Sequence, residues 1–206
     1  VGQDRKPDEQ RTAALMIRYQ SGDLQAFEEL YGWLKPRLFR YILSRVMDRG
    51  RGEDLLQEVF LQIHRSRRTF LPGNPLLAWA FGVARHVCLM DLRQRRRRAA
   101  HEILADDFLP ELAVSSEAES FADRQVLAKA LGLLPEDSRE ALVLHQLEGL
   151  SFKEIAGILG ISVQAARVRA HRAAKALADS VGKLNPTKPA ERQNPLKREP
   201  SQGDAT

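Results

Sequence analysis

Residues 151–177 read SFKEIAGILGISVQAARVRAHRAAKAL, and this stretch decides the fold. Ser151-Phe152-Lys153-Glu154 is a capping box, in which the serine accepts from an amide three residues on and the glutamate reaches back to the serine amide. Gly160-Ile161-Ser162 then breaks the helix tightly and supplies a second capping serine, so one short helix is followed at once by another. That is helix-turn-helix spacing. On a wheel of about 100° per residue the second helix gathers Val163, Ala166, Ala170, Ala173, Ala174 and Leu177 on one arc, which must face a core. Gln164, Ala165, Val168, His171, Arg172 and Lys175 point outward, and Arg167 and Arg169 fall on the flanks, within reach of phosphates on either side of a groove. Residues 162–178 hold four Lys or Arg and no acid, whereas 121–154 hold six acids and four bases. Positive charge is thus concentrated on the second helix. Small alanines on its buried face let it pack closely while the outer side stays free, which suits a major groove. A basic face that is merely solvated is the bland alternative.

Outward from this pair, Phe121–Leu134 and Pro135–Leu147 carry helical periodicity, with Pro135 suited to a first turn and Glu136 and Asp137 near the positive dipole end. Far upstream, apolar positions recur at helical spacing in Ala14-Leu15-Ile17, in Leu24-Phe27-Leu30-Tyr31-Leu34 and, after Pro36, in Leu38-Phe39-Ile42-Leu43-Val46. Ser21-Gly22-Asp23 marks a helix start. Two more helices are predicted from about Gly52 to Ser66 and from about Pro75 to Arg96, separated by a loop that contains Pro72 and Gly73. No β-type alternation between hairpin turns and no fixed-period repeat is present. The fold class is all-α, in two small helical domains at 11–98 and 121–182. Between them, 99–120 reads as an acidic flexible linker: Glu102, Asp106, Asp107, Glu111, Glu117 and Glu119 stand there against no Lys or Arg. The ends, 1–10 and 183–206, read as flexible tails, the latter holding four of the ten prolines.

Composition narrows the function. A chain of 206 residues is short for a catalytic barrel of about 250. Its longest apolar run, Leu76 to Ala84, spans nine residues, where crossing a bilayer takes about 20, so no membrane insertion is expected. Val1-Gly2-Gln3-Asp4 has no apolar h-region and no initiator Met; no secretory signal is read there. The single cysteine, Cys88, sits in an apolar stretch as a buried thiol, and the expected compartment is the cytoplasm. A net charge of +5 is only a weak pointer to a polyanion. No phosphate-cradling glycine loop, nucleophile motif or Cys and His cluster at ligand spacing occurs. His64, His86, His101, His145 and His171 are scattered, so no cofactor, metal or catalytic chemistry is expected.

The first unit carries two further features. On Asp54 to His64 the wheel places Leu55, Leu56, Val59, Phe60 and Ile63 on one arc and Asp54, Gln57 and Glu58 on the opposite one, with Leu61 among the acids. An ordinary amphipathic helix explains all but Leu61, which suggests a docking surface. From Arg85 to Arg98 there are six Arg and one Asp, and Arg95-Arg96-Arg97-Arg98 closes the helix. Dipole complementarity accounts for part of this; four consecutive arginines exceed that need and repel one another unless a polyanion lies nearby. Upstream, Phe70 and the Pro72-Gly73-Asn74 loop precede a helix carrying Trp79 and Phe81, a combination able to hold an unstacked base. Trp79 and Phe81 also fit as core aromatics, and for Trp79 the core is the preferred reading.

Three ordered stretches carry a resemblance: Glu53-Asp54-Leu55-Leu56-Gln57-Glu58-Val59-Phe60, Trp79-Ala80-Phe81-Gly82-Val83-Ala84-Arg85-His86-Val87, and Leu134-Pro135 through Gly149-Leu150-Ser151-Phe152-Lys153-Glu154-Ile155-Ala156. Across about residues 11 to 182 the chain resembles an extracytoplasmic-function (ECF) sigma factor of bacterial RNA polymerase. The resemblance implies that 11–98 is sigma region 2, for polymerase docking and for recognising and melting the minus-ten element. It implies that 121–182 is sigma region 4, reading the minus-thirty-five element, and that the acidic linker threads the polymerase as an RNA mimic.

Residue roles follow from the same resemblance. Asp54, Gln57, Glu58 and Leu61 would dock on the clamp helices of the β′ subunit of core RNA polymerase, with the β subunit as a further contact. Gln164, Arg167, Val168, His171 and Arg172 would read minus-thirty-five duplex, with Arg169 on phosphate. Phe70, Asn74, Val83 and His86 would form the minus-ten base pocket, and Arg93 and Arg95 to Arg98, Arg96 among them, would hold the backbone. His86 stands where many members have Asn, and Val168 and Ala165 where hydroxyl residues are common, which shifts base preference toward ring stacking and thymine methyl contact. The implied partners are core RNA polymerase, promoter DNA and an anti-sigma factor. A stand-alone helix-turn-helix regulator binding duplex DNA is the competing reading, and the proline-rich tail is either inert or a regulator's binding segment.

Overall fold

A computed structural model of the chain describes residues 5–101 and 126–184. In chain order the helices are α1 (Arg5–Gln20), α2 (Leu24–Val46), α3 (Arg49–Ser66) with a 3-10 turn (Arg67–Thr69), and α4 (Leu76–His101). They continue with α5 (residues 126–132), α6 (Glu136–Leu142) extended by one π-helical turn (Val143–Leu147), α7 (Phe152–Leu159) and α8 (Val163–Leu184). Every regular element among the described residues is helical, as the sequence predicts. Short acids start two of them. Asp23 accepts from the Ala26 amide at 3.1 Å and from Arg18 at 2.6 Å; the amide first and the guanidinium second hold its carboxyl below the usual range. Asp48 accepts from the Arg51 amide at 2.9 Å to start α3.

Some boundaries differ from expectation. α1 begins at Arg5, inside the segment expected as a tail; Pro7 lies in its first turn, where no intrahelical amide bond is lost. α2 runs through Pro36, where the pattern suggests two helices. Leu30, Leu34, Leu38, Tyr41 and Ile42 stay on one buried face across the proline, and that packing outweighs a penalty of about 3 kcal/mol. α2 ends on Met47, which takes a left-handed φ of 54° and donates its amide to the Leu43 carbonyl at 2.9 Å, a role usually given to glycine. Residues 99–101 extend α4, while the rest of the acidic linker, residues 121–125 and the tail from 185 onward lie outside the described residues.

The core explains how the pieces sit. α2, α3 and α4 cross closely; a Cβ on Gly52 would stand 3.3 Å from the Phe39 ring. A second cluster of Leu15, Met16, Tyr19, Ala26, Leu30, Phe70 and Leu76 ties α1 to α2 and to the start of α4. The second unit has its own small cluster of Leu134, Leu142 and Ala173, with Leu131, Ala174 and Leu177 beside it. The main core does not stop at the boundary between units. It runs from Leu38, Tyr41, Phe81 and Ala84 into Leu144, Leu150, Ile155 and Leu159. The sequence suggests two bodies on a tether, whereas here α4 packs on α7 and α2 on α6. The physical reason lies in α7, whose Ile155, Ala156 and Leu159 are buried with Phe152 and Ile158 partly so, more apolar surface than α8 alone can cover.

Candidate nucleic-acid interface

The capping box is formed as its residue types require: the Glu154 amide donates to Ser151 Oγ at 3.3 Å, and the Ser151 amide donates to Glu154 Oε2 at 2.7 Å. Gly160 closes α7 in the left-handed region, φ 68°, and Ser162 Oγ accepts from the Ala165 amide at 3.1 Å to start α8. These caps fix the angle at which α8 leaves. Ala166, Ala170 and Ala173 are buried on its inner face, and Gln164, Arg167, His171, Arg172 and Lys175 are exposed on the outer one. Val163, expected on the core arc, is 43 % exposed: as the first helical residue it lies beyond the end of α7's apolar face. Val168 and Arg169 are half-buried.

Around this face is a notch of about 450 Å³ lined by His145, Gln146, Phe152, Arg167, Val168, His171 and Arg172. His145 stacks on Phe152 with ring centroids 4.2 Å apart and donates from Nδ1 to the Leu150 carbonyl at 2.9 Å. Arg167 lies over the Phe152 ring, 5.5 Å from its centroid. One guanidinium is therefore pre-positioned by stacking. Arg169 instead pairs with Asp137 at 3.3 Å, its charge partly occupied by the protein. Phe152 and His145 line this face although the sequence pattern did not single them out for it; the signal available was an aromatic inside the capping box, at the start of the helix that precedes α8.

On the first unit, Asn74, Val83 and His86 do come together. They line one side of a cavity of about 990 Å³, with Gln62, Thr69 and Trp79. Gln62 and His86 also line a second cavity of about 670 Å³, which continues past Glu58 and Met90 to Arg93 and Arg97. The two form a groove along α4. Arg95, Arg96 and Arg98 are exposed beyond it.

Phe70 is the correction. It is 1 % exposed, enclosed by the α1 and α2 cluster, and meets Trp79 edge-on with centroids 5.8 Å apart. A side chain so enclosed offers no face to a base. The aromatic surface in the cavity belongs to Trp79, whose Nε1 donates to Thr69 Oγ1 at 3.3 Å. Trp79 is half-buried and packs against both core clusters, as the core reading expects, while its remaining surface lines the cavity that Phe70 does not reach. The loop residues Leu71 to Pro75 are exposed, while Leu76 turns inward and seals Phe70 from solvent.

The α3 face matches the wheel. Leu55, Leu56, Val59, Phe60 and Ile63 are buried, and Asp54, Gln57 and Glu58 are exposed. Leu61 is 50 % exposed among them. Cys88 is buried, and desolvation pushes its thiol up to about 12, so it is not a nucleophile at neutral pH. Among the described residues no group of three or more His, Cys, Asp or Glu is placed to hold a metal ion, and no helix is long and apolar enough to cross a membrane.

Comparison with known proteins meets this geometry. Residues 16–98 match the family model Sigma-70 region 2, and residues 124–177 match Sigma-70, region 4. The RNA polymerase sigma factor CarQ of Myxococcus xanthus is 36 % identical over 169 residues, 82 % of this chain and 97 % of that one. The ECF RNA polymerase sigma factor SigF of Caulobacter vibrioides is 37 % identical over 178 residues, 83 % of this chain and 94 % of that one. Among solved structures, CnrH in complex with the cytosolic domain of CnrY superposes with a TM-score of 0.63 at 25 % identity, covering 86 % of this chain and 99 % of that one. The sigma factor RpoE of Bartonella quintana, in complex with the anti-sigma factor NepR, shares the fold with a TM-score of 0.67 at 24 % identity, over 79 % of this chain and 98 % of that one. Two family models in the right order, full-length relatives above a third identity and one shared helical architecture agree: the chain belongs to the ECF sigma factors of RNA polymerase.

Proposed function

We propose that the chain binds core RNA polymerase and directs it to promoters, with 11–98 acting as region 2 and 121–182 as region 4. The observation that carries this reading is the pairing of two different nucleic-acid surfaces on one chain. The outer face of α8 is a free, acid-poor helix surface suited to a major groove. The groove along α4 is aromatic at one end and arginine-lined at the other, which suits a displaced single strand. Gln164, Arg167, Val168, His171 and Arg172 read minus-thirty-five duplex, and Arg169 exchanges Asp137 for a phosphate. Asn74, Trp79, Val83 and His86 receive an unstacked minus-ten base, and Arg93, Arg95 and Arg96 hold its backbone.

Polymerase docking falls to Asp54, Gln57, Glu58 and Leu61, an acidic face with one apolar anchor facing the clamp helices of β′. The acidic linker passes through the enzyme toward its β subunit as an RNA mimic, and an anti-sigma factor is the inhibitory partner. The chain supplies specificity and does no chemistry itself. Run-off transcription with core polymerase on a randomised promoter library tests the proposal. New start sites sharing two elements are expected; binding of duplex by the isolated chain as a dimer, with no effect on polymerase, would favour a stand-alone regulator instead.

A further inference from the structure

Gln20, the last residue of α1, has no part in the roles assigned above. Its half-buried side chain reaches the segment that leads into the cavity: Nε2 donates to the Arg67 carbonyl at 2.7 Å and to the Phe70 carbonyl at 2.8 Å. Both hydrogens of one amide are thus used on the two ends of the 3-10 turn. The stretch needs them. The turn closes only with the Phe70 amide on the Arg67 carbonyl at 3.3 Å, and α4 does not begin until Leu76, so no helical ladder takes up the Phe70 carbonyl. A second tie lies beside the first. The Tyr19 hydroxyl stands 2.6 Å from His64 Nδ1, while Arg67 donates to the His64 carbonyl at 2.6 Å and lies over the Tyr19 ring. The end of α1 is fastened to the end of α3 and to the turn that follows it.

The pocket residues hang from this turn. Thr69, inside it, accepts from Trp79 Nε1 at 3.3 Å and donates its own hydroxyl to the Ser66 carbonyl at 2.8 Å, so the turn locates the aromatic wall. Past Phe70 the backbone folds at once, the Asn74 amide donating to the Leu71 carbonyl at 3.2 Å with Gly73 at a φ of 89°. Asn74 is therefore one tight turn from the carbonyl that Gln20 holds. Ser66, Thr69, Asn74 and Trp79 line the cavity, and Gln20 does not. Any influence of Gln20 on a bound base passes through the backbone. Asn74 carries one acceptor and one donor group, so its orientation decides which base edge it matches. Such discrimination needs a placement good to about 0.5 Å, and a loop that must be ordered by the ligand gives up part of the binding energy.

We propose that Gln20 is a positioning residue for minus-ten recognition: by gripping the carbonyls of Arg67 and Phe70 it fixes the turn that sets Asn74 and Trp79, and through them the choice of the captured base. The inference rests on the reading of the cavity as the base pocket. It adds that α1, outside the pocket, takes part in its selectivity.

The test uses holoenzyme assembled from the full chain and core polymerase, on a promoter drawn from the randomised library. Run-off transcription from competing templates that differ at one position gives a preference ratio for each base. Asn74→Ala identifies the captured position as the one whose ratio flattens. Gln20→Met keeps the volume and removes the donors, and Gln20→Glu keeps the shape and presents only acceptors; both are checked for helix content by circular dichroism, and either alone carries the comparison. Each is expected to lower the ratio at the captured position at least about fivefold, the factor one net hydrogen bond supplies, with minus-thirty-five ratios and co-elution with core polymerase within about twofold of the parent. Gln20→Lys keeps a donor at similar reach and is expected to retain the ratio within about twofold. An unchanged ratio in the Met or Glu variant, where Asn74→Ala flattens it, overturns the positioning role and leaves the pocket standing. Equal losses at every position of both elements mean a merely structural role and overturn it too, as does a Lys variant as flat as the Met one. Asn74→Ala without effect at any position overturns the pocket reading and the proposal with it, so the two failures are distinct.

Discussion

Replacing Phe70 by alanine separates a packing role from a base-stacking one. The ring is 1 % exposed and is enclosed by Leu15, Met16, Tyr19, Ala26, Leu30 and Leu76, with the Trp79 edge 5.8 Å away between centroids. Phe→Ala at an enclosed site costs about 3–5 kcal/mol, and the lost aromatic pair accounts for roughly 0.5–1.5 of that. Against a domain stability of about 5–15 kcal/mol this is a large fraction. Urea unfolding followed by tryptophan fluorescence measures it, because Trp79 sits against the altered position, and the midpoint should fall at unchanged slope. Binding of single-stranded DNA, measured well below the midpoint, should change little. A stability loss under about 0.5 kcal/mol together with a selective loss of strand binding would refute the assignment of Phe70 to the core.

Arg172→Ala is expected to weaken discrimination at one base pair of the minus-thirty-five element by about 1–3 kcal/mol if its contact is bidentate, read by competition binding of the holoenzyme with single-position promoter variants. Leu61→Asp places a charge at the half-exposed apolar anchor of α3 and should abolish co-elution with core polymerase while leaving the thermal midpoint within a few degrees. Cys88 should resist maleimide until the chain unfolds. Below pH 9 both states keep the proton; between the unfolded thiol's 9.0 and the folded value of about 12 only the unfolded chain ionises, so Cys88 makes stability fall as pH rises across that window, checked against Cys88→Ala.

Local signals in the sequence carried far for this chain. The capping box, the Gly160 break and the alternating faces of α3 and α8 are each set by a few neighbouring residues, and the structure shows them as the pattern implies. What depends on distant partners was less legible. Pro36 reads as a break because the packing that carries α2 through it comes from other helices. Phe70 reads as a loop aromatic because its burial is supplied by α1 and α2, some 40 to 55 residues earlier in the chain. The pairing of Arg45 with Glu136 and Glu140 spans about 90 residues and leaves no periodic trace.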